Sequence, residues 1–142
     1  MIKRNKLSIG TVLLLGIFSS VYAQDISDSK YDELIKKSPL NTLYPKVMVE
    51  SSDKYFEEFQ KLFNNSAIPP KYAQLIALSA SVALKCVYCI PSHKIKAVKE
   101  GATEEEMKVA IQIAAEIARF STLLYGNEWD LPKTKAVVKK MK

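Results

Sequence analysis

Apolar side chains recur at the spacing of a helix face along most of the chain. The pattern predicts a helix that begins at Pro45, has charged residues on its other side and ends at the turn 64–66. Its apolar face consists of Met48, Tyr55, Phe56, Phe59, Leu62 and Phe63. A shorter helix is predicted over 31–37, and it stops where Ser38 and Pro39 follow.

A more apolar helix is predicted from Tyr72 to Leu84, after the start signal of Pro69 and Pro70. Nearly every residue in it is Ala, Leu, Ile, Val or Ser, so we expect a central helix buried by its neighbours. It is too short to span a bilayer. Gln74 is its one large polar side chain, and once buried it needs a hydrogen-bond partner.

Two further helices follow. One is predicted to begin near Cys89 and to end at Gly101. Its start is placed there because proline is tolerated in the first turn of a helix, and Pro91 follows Cys89 by two residues. Thr103 and Glu106 have the spacing of a capping box, which predicts the start of a long helix. Gly126 is predicted to close that helix.

The tail over 130–142 predicts a short amphipathic helix, with Trp129 as a hydrophobic anchor. No strand-like alternation and no internal repeat occurs in the sequence. The predicted fold class is therefore all-α, a compact bundle of about five or six helices.

The N-terminus has the three parts of a secretory signal peptide: basic residues, an apolar run over 7–18, and small residues before position 24. A membrane anchor is the competing interpretation, but the run is shorter than about 20 residues and is interrupted by polar residues. No cysteine near position 23 offers a lipid anchor. We expect cleavage after Ala23 and export of residues 24–142 to the periplasm or the medium, where disulfides persist.

The remaining 119 residues (142 minus 23) are the size of one domain, predicted over 24–142. Without the three basic residues of the signal, the net charge falls from +6 to +3. Lysines are interleaved with glutamates rather than gathered in a stripe, which argues against nucleic-acid binding. No membrane association is expected after cleavage.

The candidate chemistry lies between positions 86 and 93, which contain both cysteines and the only histidine of the chain. A helix start near Cys89 and the imidazole of His93, four residues further on, could both lower the pKa of a Cys89 thiol. Cys86 is close enough to condense with an oxidised Cys89 and form a disulfide.

Other interpretations of the same residues stay open. The cysteine pair could be only a structural disulfide, although so short a loop gains little stability from closure. It could bind zinc with His93, but no further Cys or His completes a four-ligand site. His93 could be a packed surface residue without a role, and Gln74 could point away from it.

From about Phe59 to Leu124 the chain resembles the carboxymuconolactone decarboxylase-like superfamily, and within it the alkyl hydroperoxide reductase D-like branch. The matching runs are Tyr72-Ala-Gln-Leu-Ile-Ala-Leu-Ser-Ala, Cys86-x-Tyr-Cys89-Ile-x-x-His93 and Gly101-Ala-Thr-Glu-Glu-Glu. The resemblance implies an all-helical fold that assembles into trimers or larger rings. It also implies thiol peroxidase activity on hydrogen peroxide and organic hydroperoxides, with no metal and no organic cofactor.

The resemblance also implies the role of each site residue. Cys89 takes the place of the peroxidatic cysteine, Cys86 of the resolving one, and His93 of the histidine that relays the proton. Gln74 stands where members usually have a glutamate bound to that histidine, so the relay lacks its carboxylate unless Glu100 supplies one. An exported dithiol of unknown identity is expected to reduce the cysteine pair again.

Two rival functions remain. The protein could be a thiol–disulfide oxidoreductase that acts on protein disulfides, or a non-enzymatic helical oligomer with a structural disulfide. Ring-cleaving decarboxylation, the activity behind the superfamily's name, does not require a C-x-x-C motif, and its aromatic substrates are cytosolic.

Overall fold

The structure, a computed structural model, describes residues 26–141. These residues form α-helices and short 3-10 turns and contain no strand, which confirms the predicted all-α class. The helices are α1 (Asp28–Lys37), α2 (Val49–Asn64), α3 (Pro70–Ala83), α4 (Cys89–Lys99), α5 (Glu104–Gly126) and α6 (Leu131–Lys140). None of these described helices has the length and apolar character that crossing a membrane requires. The predicted signal peptide, 1–23, lies outside the described residues.

The chain divides into two compact units, one ending at Asp53 and the other beginning at Lys54. A buried polar network lies in the first. Asn41 donates from Nδ2 to Oδ1 of Asp53 at 3.0 Å and accepts at Oδ1 from the Ser52 hydroxyl at 3.0 Å. Lys37 Nζ lies 2.6 Å from Asp53 Oδ2, and this hydrogen bond lowers the pKa of the carboxyl group. A single domain over 24–142 stays a prediction.

In the second unit, α3 packs against α4 and α5. The buried side chains are mostly small, which allows the helix axes to come close together. The buried apolar residues of this unit are Leu78, Ala97, Ala102, Ala110 and Ala114. An ion pair of 2.7 Å between Lys71 and Glu106 joins the first turn of α3 to the first turn of α5.

The predicted capping box is present at the start of α5. The Glu106 amide donates to the Thr103 hydroxyl at 3.1 Å, and the Thr103 amide donates to the Glu106 carboxylate at 2.8 Å. Two amides that have no partner inside the helix are thereby satisfied. The boundary predicted from this spacing is confirmed.

Helices α3, α4 and α5 end in the same way, with one residue in the left-handed region just after the helix. At the end of α4 it is Gly101 (φ 81°), as predicted. At the other two ends it is Lys85 (φ 55°) and Glu128 (φ 50°), although glycine is favoured at this position. α5 does end at Gly126, but the left-handed residue lies two positions later.

The prediction that neighbouring helices bury α3 is wrong for one of its faces. Tyr72 and Ile76 are about half exposed, at one side of an open groove between α3 and α5 with a volume of about 1200 Å³. The surface of the groove is mostly apolar and includes Val109, Ile113 and Ile117 of α5, while Glu105 and Glu106 are among its polar lining residues. α3 is apolar on more faces than α4 and α5 cover, so part of it faces outward.

The tail forms a helix, as predicted, but buries little. Asp130 caps α6 by accepting the Lys133 amide at 3.2 Å. Trp129 donates from its indole to the Thr134 hydroxyl at 2.8 Å, while its ring remains about half exposed. Trp129 therefore fixes the start of α6 by a hydrogen bond rather than as a buried anchor.

Candidate redox site

The turn between α3 and α4 places the first cysteine. The amide of Lys85 donates to the Val82 carbonyl at 3.0 Å, and the amide of Cys86 donates to the Ser81 carbonyl at 2.9 Å. This pair of bonds, with the left-handed backbone of Lys85 between them, is a Schellman motif. It ends α3 sharply and turns the chain so that α4 can begin three residues after Cys86.

Cys86 and Cys89 form a disulfide, with their Cα atoms 5.2 Å apart. Cys89 is the first residue of α4, and its amide donates to the Cys86 carbonyl at 3.1 Å and to Cys86 Sγ at 3.2 Å. Pro91 is the third residue of α4. Amides in the first turn of a helix have no partner inside the helix, so the missing N–H of proline costs no hydrogen bond there. The predicted helix start is confirmed, and the helix's first amide points at the sulfur of Cys86.

His93 lies one turn along α4 from Cys89, on the same face. Its Nδ1 is 2.9 Å from Oε1 of Gln74 on α3, and Gln74 is only 4% exposed. Because an amide oxygen can only accept, this contact places a hydrogen on Nδ1 and leaves the lone pair of the neutral ring on Nε2. The structure thus brings together Gln74 and His93, as the family resemblance implied and the helical pattern alone left open.

Phe63 covers the imidazole from α2. Its ring centroid lies 5.5 Å from that of His93, with 30° between the ring planes. The pKa of His93 is lowered, mainly because burial disfavours the imidazolium and further because the positive charge of Lys96 is near. A lowered pKa keeps the ring neutral near pH 7, so it is available as a proton acceptor.

No carboxylate of the described residues comes within ion-pair distance of His93. Glu100, the candidate substitute, caps the far end of α4, about 10 Å further along the helix axis at the rise of an α-helix, and is exposed. Within residues 26–141, no three His, Cys, Asp or Glu side chains are grouped as metal ligands would be. The neutral Gln74 is therefore the group that orients His93.

Sequence reasoning missed two residues of this site. Phe63 was predicted only as part of the apolar face of α2, because helical spacing cannot tell which neighbour a buried ring contacts. Lys85 carries no turn signal, since glycine and asparagine are the residues that usually mark a left-handed position. Lys85 is next to Cys86 in the sequence, but its left-handed backbone could not be read from it, and neither could the contact of Phe63 with His93.

The sequence model of the Carboxymuconolactone decarboxylase family matches residues 51–129, more than half of the 142-residue chain. The chain belongs to the carboxymuconolactone decarboxylase family. The match includes Gln74, Cys86, Cys89 and His93, so the whole candidate site lies inside the part that identifies the family. The predicted membership is confirmed.

A relative from Paracoccus denitrificans, described as "Uncharacterized protein 4 in cox locus", is 33% identical to this family member over 67 residues. These residues are 47% of this chain and 60% of the relative, so the chain spans less than two thirds of that protein. No solved structure matches the chain. The family is thus established by its sequence model and by the helical fold.

Proposed function

We propose that this protein is an exported thiol peroxidase that reduces hydrogen peroxide and organic hydroperoxides. One observation carries the proposal: the Cys86–Cys89 pair opens the helix that holds His93, and the contact with Gln74 leaves the Nε2 lone pair of that histidine free. Membership in a family that includes alkylhydroperoxidase-like members agrees with it.

In the proposed reaction, Cys89 gives its thiol proton to His93, and the thiolate attacks one peroxide oxygen. The O–O bond breaks, the proton passes from His93 to the departing alkoxide, and Cys89 becomes a sulfenic acid. Cys86 then attacks the Cys89 sulfur, a disulfide forms and water leaves. A dithiol reductant returns two electrons and two protons to the pair.

Gln74 acts in this reaction as a positioning residue. Its carbonyl oxygen holds Nδ1–H and so turns Nε2 outward from α3. It supplies no negative charge to stabilise the imidazolium that forms when Cys89 is deprotonated. The imidazolium is therefore a stronger acid, which favours the later transfer of its proton to the departing alkoxide.

Disulfide exchange is the second candidate, and one contact favours it. The Cys89 amide donates to Cys86 Sγ at 3.2 Å, so the first amide of α4 would stabilise a thiolate on Cys86. That arrangement suits attack by Cys86 on a protein disulfide. In the peroxidase, the attacking thiolate is Cys89.

Single-cysteine variants distinguish the two candidates. The reduced Cys86→Ser and Cys89→Ser proteins are mixed with cumene hydroperoxide, and sulfenic acid is trapped with dimedone and located by mass spectrometry. A peroxidase forms the adduct on Cys89 of Cys86→Ser at a rate at least about 100-fold above free cysteine, whereas Cys89→Ser reacts no faster than the free thiol. Equal, slow reaction of both variants would rule out the peroxidase.

Export and self-association belong to the same proposal. The signal-like residues 1–23 support cleavage before Gln24. Mass spectrometry of the protein from a periplasmic fraction should then find Gln24 as its first residue. The open apolar groove between α3 and α5 supports a homo-oligomer in which a second copy covers the groove, and the family resemblance implies a trimer or a multiple of one.

A further inference from the structure

Three large apolar side chains flank the disulfide and face outward. Leu84 is 80% exposed, Val87 68% and Tyr88 86%. Val87 and Tyr88 lie inside the loop that the disulfide closes, so they are held next to the two sulfur atoms. Apolar groups gathered in this way around a reactive centre indicate a surface that is covered during part of the protein's cycle.

The segment that contains the disulfide is also positively charged. Lys85 precedes the disulfide, three lysines follow it on α4, and no acidic residue occurs between Leu84 and Lys99. The lysines of α4 are Lys94, Lys96 and Lys99. All four are exposed, and none of them forms an ion pair with a carboxylate of residues 26–141. These lysines would attract a partner that carries negative charge.

We propose that Leu84, Val87 and Tyr88 form the docking face for the protein dithiol that reduces the Cys86–Cys89 bridge, and that this partner is acidic and apolar around its thiols. The inference rests on the proposed function in that the bridge must turn over. A thiolate of the partner attacks one sulfur, the bridge opens and a mixed disulfide forms. The second thiol of the partner then attacks the partner's sulfur in the mixed disulfide. The partner leaves with its own disulfide, and Cys86 and Cys89 are both reduced.

The position of the disulfide selects a protein dithiol over other occupants. A small thiol needs no apolar platform to reach a half-buried bridge, and an anionic lipid surface offers no electrons to it. A second copy of the chain would bury the bridge and block its reduction. Tyrosine, by contrast, is among the residues that contribute most binding energy when a protein partner covers them, and Tyr88 lies beside the bridge.

The test uses two synthetic dithiol peptides with the same Cys-Gly-Pro-Cys centre, one with Glu and Leu flanks and the other with Lys and Leu flanks. Each peptide, and dithiothreitol, is used to reduce the oxidised protein at low and high salt. We expect the acidic peptide to act at least about tenfold faster than the basic one at low salt, with a smaller difference at high salt. The double variant V87S/Y88S should lose most of the rate with the acidic peptide and keep its rate with dithiothreitol.

Tyr125→Ser is the matched control, because Tyr125 is 89% exposed on α5, away from the motif in sequence. It should leave all rates unchanged. Equal rates for both peptides, or an equal loss in Tyr125→Ser and V87S/Y88S, would overturn the docking face. The docking face would also be overturned if the only effect of V87S/Y88S were a loss of binding to phosphatidylglycerol vesicles or a loss of self-association. Hydroperoxide consumption with dithiothreitol as reductant reports on the peroxidase separately from peptide selectivity.

Discussion

His93 Nδ1 lies 2.9 Å from Oε1 of the buried Gln74, so the histidine of this site is held by a neutral amide. The resemblance described above implies a glutamate at that position in most relatives. A carboxylate would stabilise the charged imidazolium relative to the neutral ring. The neutral amide can accept the Nδ1–H of the neutral ring and adds no charge that favours the imidazolium. Burial, to which the Phe63 ring contributes, lowers the pKa of His93, and the positive charge of Lys96 lowers it further.

Gln74→Glu should raise the pKa of His93, because a carboxylate beside Nδ1 stabilises the charged ring. The measurement is an NMR titration of the imidazole, which is unambiguous because the chain has one histidine. Gln74→Leu is the control: it removes the acceptor without adding charge, so the pKa should stay below its usual range. If Gln74→Glu and the wild type titrate alike, Gln74 does not contact His93 in solution.

The lowered pKa of His93 has a consequence for stability. The folded protein binds this proton less readily than the unfolded chain, whose histidine titrates near 6.5. The contribution is therefore fully present above pH 6.5 and is lost as the pH falls from 6.5 through the lower folded pKa. Urea unfolding from pH 7.5 to 5.0 should show this loss in the wild type and a flatter profile in His93→Gln. Parallel profiles would contradict it.

The sequence predicted most of the fold, because helical periodicity and end signals are local. The capping box at Thr103 and the glycine at 101 give helix ends without reference to anything distant. The site was only partly predictable: the spacing of Cys86, Cys89 and His93 is local, but the contact of Gln74 with His93 spans two helices. The contact between Phe63 and the imidazole depends on how α2 is rotated about its axis, which the apolar pattern leaves open by tens of degrees.

Phe63→Ala should raise the pKa of His93 toward its usual value, because the imidazole would lose its apolar cover and gain water. Phe59→Ala is the matched control. Phe59 is half-buried one turn earlier on α2 and contacts Phe63 at 5.1 Å between ring centroids. Each variant should lose about 1–2 kcal/mol of unfolding free energy, since each ring is only partly buried. Only Phe63→Ala should change the imidazole titration, and an equal change in both would contradict the contact.

Lys85→Gly should stabilise the protein by about 0.5–1 kcal/mol, because the left-handed backbone at this position costs a lysine more than a glycine. Gly101→Ala tests the same rule in reverse. A Cβ at that position would meet no atom within 4 Å, so its expected loss of about 1 kcal/mol comes from the backbone alone. Thermal unfolding of the oxidised proteins measures both. A destabilised Lys85→Gly would mean that the Schellman turn before Cys86 does not form.

Ile113→Glu should dissociate the proposed oligomer. Ile113 is more than half exposed in the apolar groove between α3 and α5, where a buried carboxylate without a partner would cost several kcal/mol. In the isolated chain the new side chain reaches water, so the fold and the helical circular-dichroism spectrum should be kept. Sedimentation equilibrium of the wild type and the variant measures the mass.

Val138→Glu is the control, because Val138 is comparably exposed on α6 and does not line the groove. It should leave the assembly intact. A wild type that is monomeric at micromolar concentration, or an Ile113→Glu variant with the wild-type mass, would show that no second copy covers the groove. Dissociation by Ile113→Glu alone would mean that the apolar side of α3, exposed in the single chain, is part of a core completed between subunits.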